Sequence, residues 1–150
     1  MIIGIDPGIS GAIVLLDKGQ PAEWWPMPIY KAGTASRVNA ALLAAVLRPY
    51  RDAHVFVEQV GARPGQGVSS MFSFGHTAGV VAGVLGALQM AHTMVQPKSW
   101  KQRAGLTGTE KDAARTRAIQ LWPAWRALDA KGKGQALADA ALIALHGRAA

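Results

Sequence analysis

The sequence predicts a mixed α/β domain with a sheet lying between helices, and three observations carry the prediction. Two short apolar runs, Ile2–Asp6 and His54–Glu58, are each closed by an acid. Helix-length stretches alternate with strand-like runs from residue 38 onward. Half of the 150 residues are hydrophobic, enough for one domain with a substantial core.

Taken in order, Ile2, Ile3 and Ile5 are β-branched and suit a strand buried on both faces. Pro7 and Gly8 end it, and Gly8 and Gly11 permit a tight reversal into a hairpin partner at residues 12–16. Residues 21–28 hold Trp24 and Trp25 between prolines, which cannot donate to a ladder, so they read as an edge strand. Residues 29–37 are polar and contain glycine, the composition of a loop. Leu42, Leu43, Val46 and Leu47 give residues 38–51 the spacing of an amphipathic helix that covers the sheet.

After the strand ending at Glu58, residues 64–67 form a flexible loop and residues 68–89 a helix containing Gly75, Gly79, Gly83 and Gly86. Each glycine costs a helix roughly 1 kcal/mol relative to Ala, so close approach to the sheet or to a second subunit is expected there. Residues 93–96 are a further strand stopped by Pro97, and residues 99–105 a short basic turn or helix. Residues 109–112 open the next helix with an arrangement like a capping box, and that helix runs through Leu121 to Pro123. Residues 124–133 read as a loop with room for one helical turn, and residues 134–146 as a terminal helix rich in Ala and Leu.

Without cysteine the chain has no disulfide, thiolate metal site or cysteine nucleophile, a composition that suits a reducing, cytoplasmic compartment. Neither an export signal nor a membrane span is expected. Sixteen Lys and Arg against nine Asp and Glu give a formal charge of +7, and the pI near 10.3 is the footprint of a polyanion binder, nucleic acid foremost.

With nine acids, elimination is informative. Asp17, Glu23 and Asp52 lie at turns or on the edge strand, Glu110 and Asp112 open a helix, and Asp129 sits in a polar loop. Asp6, Glu58 and Asp139 remain, each in an apolar setting. Gathered at the ends of adjacent strands and on a helix, three carboxylates would repel one another unless hard cations such as Mg²⁺ or Mn²⁺ neutralised them. Such ions support phosphodiester cleavage by activating water, so a metal-dependent nuclease accounts for the acids and the basic loops together.

Ile-Ile-Gly-Ile-Asp-Pro-Gly at residues 2–8, Val-Phe-Val-Glu-Gln at 55–59, the spaced glycines within 66–86, and Ala-Leu-Ala-Asp-Ala-Ala-Leu-Ile-Ala at 136–144 resemble, in order and spacing, a RuvC-type Holliday junction resolvase of the small phage and prophage kind. The resemblance implies an RNase H-like fold with a mixed sheet of about five strands, a homodimer, and Mg²⁺-dependent nicking of opposed strands at four-way and related branched DNA. In a phage-encoded protein the compartment would be the host cytoplasm. It makes Asp6, Glu58 and Asp139 metal ligands and puts Lys101 and Lys111 near the scissile phosphate. It implies DNA contacts from Arg63, Gln66, Lys98, Lys101, Arg103, Lys111 and Arg115, with Phe72 or Phe74 as an aromatic wedge at the junction centre. The family usually has a fourth acidic or His ligand one turn before the last Asp, where this chain has Gln135 and Ala136. Gln135 shares a helical face with Asp139, so its amide could hold a metal-bound water but adds no charge.

Two other readings stay open on the residues. The missing fourth acid suits a catalytically weak relative that binds junctions or other nucleic acid. Asp-Pro-Gly-Ile-Ser-Gly at residues 6–11 also resembles the phosphate loop of actin-like ATPases, although 150 residues leave no room for the two lobes of that fold.

Overall fold

The computed structural model describes residues 1–148. Strands β1 (Ile2–Asp6), β2 (Ala12–Asp17) and β3 (Gln20–Pro26) form an antiparallel meander. A small hairpin follows, β4 (Ile29–Ala32) and β5 (Ala35–Val38), and then helix α1 (Ala40–Leu47) with a 3₁₀ turn at Arg48–Tyr50. Strand β6 (His54–Glu58) lies parallel to β1, helix α2 (Val68–Ala87) crosses over, and β7 (His92–Val95) lies parallel to β6. Three helices finish the chain: α3 (Pro97–Arg103), α4 (Ala113–Leu121) and α5 (Lys131–His146), with a 3₁₀ turn at Arg126–Asp129 before the last.

The main sheet is five-stranded and mixed, ordered β3-β2-β1-β6-β7. The proline-bounded strand is indeed at an edge, where a missing N–H leaves no gap in a ladder. Alternation along the strands divides the core into two. Ile3, Ile5, Ile13, Leu15, Val55 and Val57 face α1 and α2, whereas Val14, Leu16 and Phe56 face α3, α4 and α5.

Four expectations need correction. Residues 29–37 are mostly the β4–β5 hairpin, turning at Gly33 with φ +64°; its strands are four residues long, β4 exposed throughout and β5 half-buried up to the buried Val38, so neither shows the alternation that betrays a half-buried strand. The helix expected from residue 38 starts at Ala40, because Asn39 accepts a hydrogen bond from the Leu42 N–H and Val38 belongs to β5. No capping box forms at Thr109, whose hydroxyl donates back to the Leu106 carbonyl at 2.7 Å, and α4 begins four residues later. The last helix starts at Lys131 rather than residue 134, because the Gly134 N–H donates to the Ala130 carbonyl and closes a first turn before it; a Cβ on Gly134 would lie 2.5 Å from the Leu128 carbonyl oxygen.

The glycines of α2 do not approach the sheet. Around the place of a Cβ on Gly75, Gly79, Gly83 or Gly86 there is nothing within 4 Å. By length and composition α2 could also cross a membrane, contrary to the expectation of no such segment; here Thr77, Val81, Val84 and Leu85 bury one side of it against the rest of the domain.

Candidate active site

Strand parity places the first two acids. Gly4 pairs with Phe56 and Ile5 with Val57 across the parallel β1–β6 ladder, so Asp6 and Glu58 end neighbouring strands on the same face as Gly4 and Phe56. Helix α5 covers that face and comes unusually near β1. A Cβ on Gly4 would collide with the Ala140 carbonyl oxygen and lie 2.6 Å from the Ala144 nitrogen. Ala138, Ala140, Ala141 and Ala144, all buried, keep the helix surface low enough for this contact. The result brings Asp139, at the middle of α5, to the ends of β1 and β6.

The three carboxylates act on one another. Burial first, and then the charge of Glu58, raise Asp6 to about 6, with the Gly8 backbone and Lys101 pulling the other way. Asp139 is raised to about 7 by burial, then by the charge of Asp6 and, more weakly, Glu58; Gln135 and Lys101 oppose the rise. Two further contacts hold the acids in place. The Trp100 indole N–H donates to Glu58 Oε1 at 3.1 Å, and the Gln135 amide donates to Asp139 Oδ1 at the same distance. Gln135 therefore orients the acid beside it.

Hard carboxylate oxygens in a half-buried, mutually repelling set are the donor chemistry a divalent cation requires. As the side chains stand, no group of three His, Cys, Asp or Glu among the described residues is drawn together closely enough to ligate a single ion. The residues fit a cation in charge and in donor type, with approach of the acids left to binding.

Of the basic residues picked from sequence, Lys101 alone acts on Asp6 and Asp139, from a position 5.4 Å above the Trp100 ring. Lys111 lies in the exposed turn before α4 and is not among the charges felt by those two acids. Lys98 is exposed at the start of α3. Arg63 and Gln66 line a cavity of ≈ 570 Å³ together with Glu58, Phe74 and Pro97, and the Arg63 backbone N–H donates to Gln66 Oε1. Phe72 and Phe74 project from α2 with 65% and 44% of their surface exposed, more than core packing allows. Two guanidinium groups are engaged inside the fold. Arg103 donates to the carbonyls of His146 and Gly147, and Arg115 to those of Leu128 and Asp129. His146, in the last turn of α5, has its pKa lowered by burial and then by Arg117 and Arg103, so its neighbours are cations rather than the acids.

Sequence reasoning missed Trp100 and Gly4. An indole bonded to an acid 42 residues earlier leaves no local trace. A glycine inside a buried strand does signal close backbone approach, and Gly4 carried that signal.

A mixed five-stranded sheet in this order, flanked by helices on both faces, is the RNase H-like fold. Among solved structures the chain is similar to Thermus thermophilus RuvC in complex with Holliday junction substrate, with TM-score 0.62 and 17% identity over 97% of this chain and 90% of that one. It is similar also to a second Thermus thermophilus RuvC structure, with TM-score 0.59 and 19% identity over 97% and 91%. No family model and no curated protein matches the sequence. At these identities the likeness establishes the fold.

Proposed function

We propose that the protein is a structure-selective endonuclease that nicks four-way and related branched DNA with the help of Mg²⁺, for which Mn²⁺ may be exchanged. The observation that carries this reading is the meeting of Asp6, Glu58 and Asp139 on one sheet face beside Lys101. The similarity to a RuvC bound to a Holliday junction supports the choice of substrate. The net charge of +7 supports backbone recognition, with binding that weakens steeply as salt rises.

Asp6, Glu58 and Asp139 would hold the cation, which when bound supplies positive charge to the phosphate and lowers the pKa of water. The chain's own residues prepare the site. Trp100 and Gln135 each fix one carboxylate oxygen and leave the other available. Lys101 provides a fixed cation facing a phosphate drawn toward the acids. The cavity leading from Glu58 past Arg63 gives a strand its approach.

A homodimer places two such sites on opposed strands. The uncovered glycine face of α2 supports a second copy docking there, since helices lacking side chains on one face can approach closely. Sedimentation with junction DNA should find two subunits per junction.

A binding-only reading has its own support in the neutral Gln135 and in the spread of the acids. Incubation with synthetic four-way junctions in Mg²⁺ or Mn²⁺ separates the two. Symmetric nicks that disappear in Asp6→Asn and Glu58→Gln are the expected result. Tight binding without cutting in either metal would leave the binding module, and ATP hydrolysis without DNA cleavage would overturn both.

A further inference from the structure

A second concave surface shares Phe74 with the cavity at Glu58 and is also lined by Ile9, from the loop that follows Asp6. Hairpin β4–β5 leans on the first turns of α2 and leaves a cleft of ≈ 350 Å³ between them. Its polar lining is made of hydroxyls and one cation: Ser36 and Arg37 from β5, and Ser69, Ser70, Ser73 and Thr77 from α2. No acid lines it. Phe74 borders both this cleft and the cavity at Glu58, so it stands as a partition between them.

The cations at the cleft are prearranged. Arg37 lies 5.7 Å from the centre of the Phe72 ring and gives one N–H to the Ser36 carbonyl at 3.1 Å, which accounts for one of its five donors. Lys31, across the hairpin from Ser36, donates to the Ser36 hydroxyl at 3.0 Å. Both positive groups are thus tied to one residue at the rim, with exposed Phe72 alongside. Serine hydroxyls, a guanidinium and an ammonium without an opposing carboxylate match the oxygens of a phosphodiester, and an aromatic face beside them matches a base.

We propose that this cleft is a second DNA-backbone site, which grips a phosphodiester segment separated by Phe74 from the segment at the carboxylates. The inference rests on the nuclease reading and extends it to a surface which that reading does not use. The hairpin then acts as a gripping arm, which explains why two short strands outside the main sheet carry Lys31 and Arg37.

The test is junction binding by the Asp6→Asn protein, in which cutting is blocked, compared with the same protein carrying Lys31→Ala and Arg37→Ala. Losing two phosphate contacts should lower the log–log salt slope by about 2, at about 0.9 per phosphate, with an unchanged melting temperature. A photo-crosslinker attached at Ser73→Cys provides a measurement free of those substitutions, and should label nucleotides distant from the nick. An unchanged slope, or labelling absent or confined to the nick, overturns the second site while leaving the nuclease reading in place. Failure of the parent protein to bind junctions at all overturns both.

Discussion

Helices α5 and α2 are both rich in small residues, and the surroundings of those residues are opposite. The alanines of α5 are buried, and its backbone rests on Gly4 of β1 so closely that no Cβ fits between them. The glycines of α2 face open space. In α5 smallness has a use inside the chain, since it lets a helix carry Asp139 to the ends of two strands. In α2 smallness weakens the helix and nothing within the chain repays it, which directs attention to a partner. A run of small residues therefore means different things in different places, and only the neighbouring element tells which.

The strongest way to break the contrast is at Gly4. Gly4→Ala drives a methyl into the Ala140 carbonyl and should destabilise the fold by about 3 kcal/mol or more, read from chemical denaturation. A wild-type midpoint would mean that α5 does not rest on β1 as described.

The acids come next, and here the sign matters. Asp6 and Asp139 hold their protons more tightly folded, at about 6 and about 7, than unfolded at 3.8. Without a divalent cation, stability should therefore be best preserved below pH 4 as far as these groups are concerned, and should fall as pH rises to about 7. Asp6→Asn removes its share of that loss and should stabilise the metal-free protein at pH 8 by on the order of 2–3 kcal/mol, while abolishing cleavage. Thermal melts from pH 5 to 8, with and without Mg²⁺, check both halves: Mg²⁺ should stabilise the wild type most at high pH, where the acids are ionised. Equal melting temperatures for wild type and Asp6→Asn across that range would contradict the electrostatics.

Trp100→Phe keeps most of the packing and removes the donor to Glu58. A hydrogen bond to a charged group is worth about 1.5 kcal/mol or more, so cleavage should fall about tenfold, with little change in junction affinity. A fall in affinity with an unchanged cutting rate would assign Trp100 to DNA binding instead.

The smallest effect sharpens the contrast from the other helix. Gly79→Ala fills open space and should stabilise the isolated subunit by up to about 1 kcal/mol, the reverse of Gly4→Ala. Sedimentation of the same variant should show weaker self-association. Unaltered association would free this face from any role in dimerisation.

Much of the site was legible because burial and charge conflict visibly in a sequence. Ile2–Asp6 and His54–Glu58 repeat one pattern, and removing acids with ordinary settings left Asp139 as the third. The five strands of the sheet were legible as short apolar or proline-bounded runs at residues 2–6, 12–16, 21–28, 54–58 and 93–96. What stayed hidden depends on pairing across the fold. Strands β4 and β5 are too short to show a period, and Arg103 and Arg115 look like free cations until the carbonyls they hold are in view. Gln135 read as able to hold a metal-bound water, and its bond to Asp139, one turn along its own helix, appears only with the side chains in place.

The grip of Arg103 on the end of α5 has a mechanical side. Helix α3 carries Trp100 and Lys101, which touch or act on the acids, and two residues later Arg103 ties the same short helix to the last turn of α5. The two helices are thereby pinned at one end and meet again at the acids, like the sides of a narrow frame. Those two bonds fix where α3, and with it Trp100 and Lys101, sits against the last turn of α5.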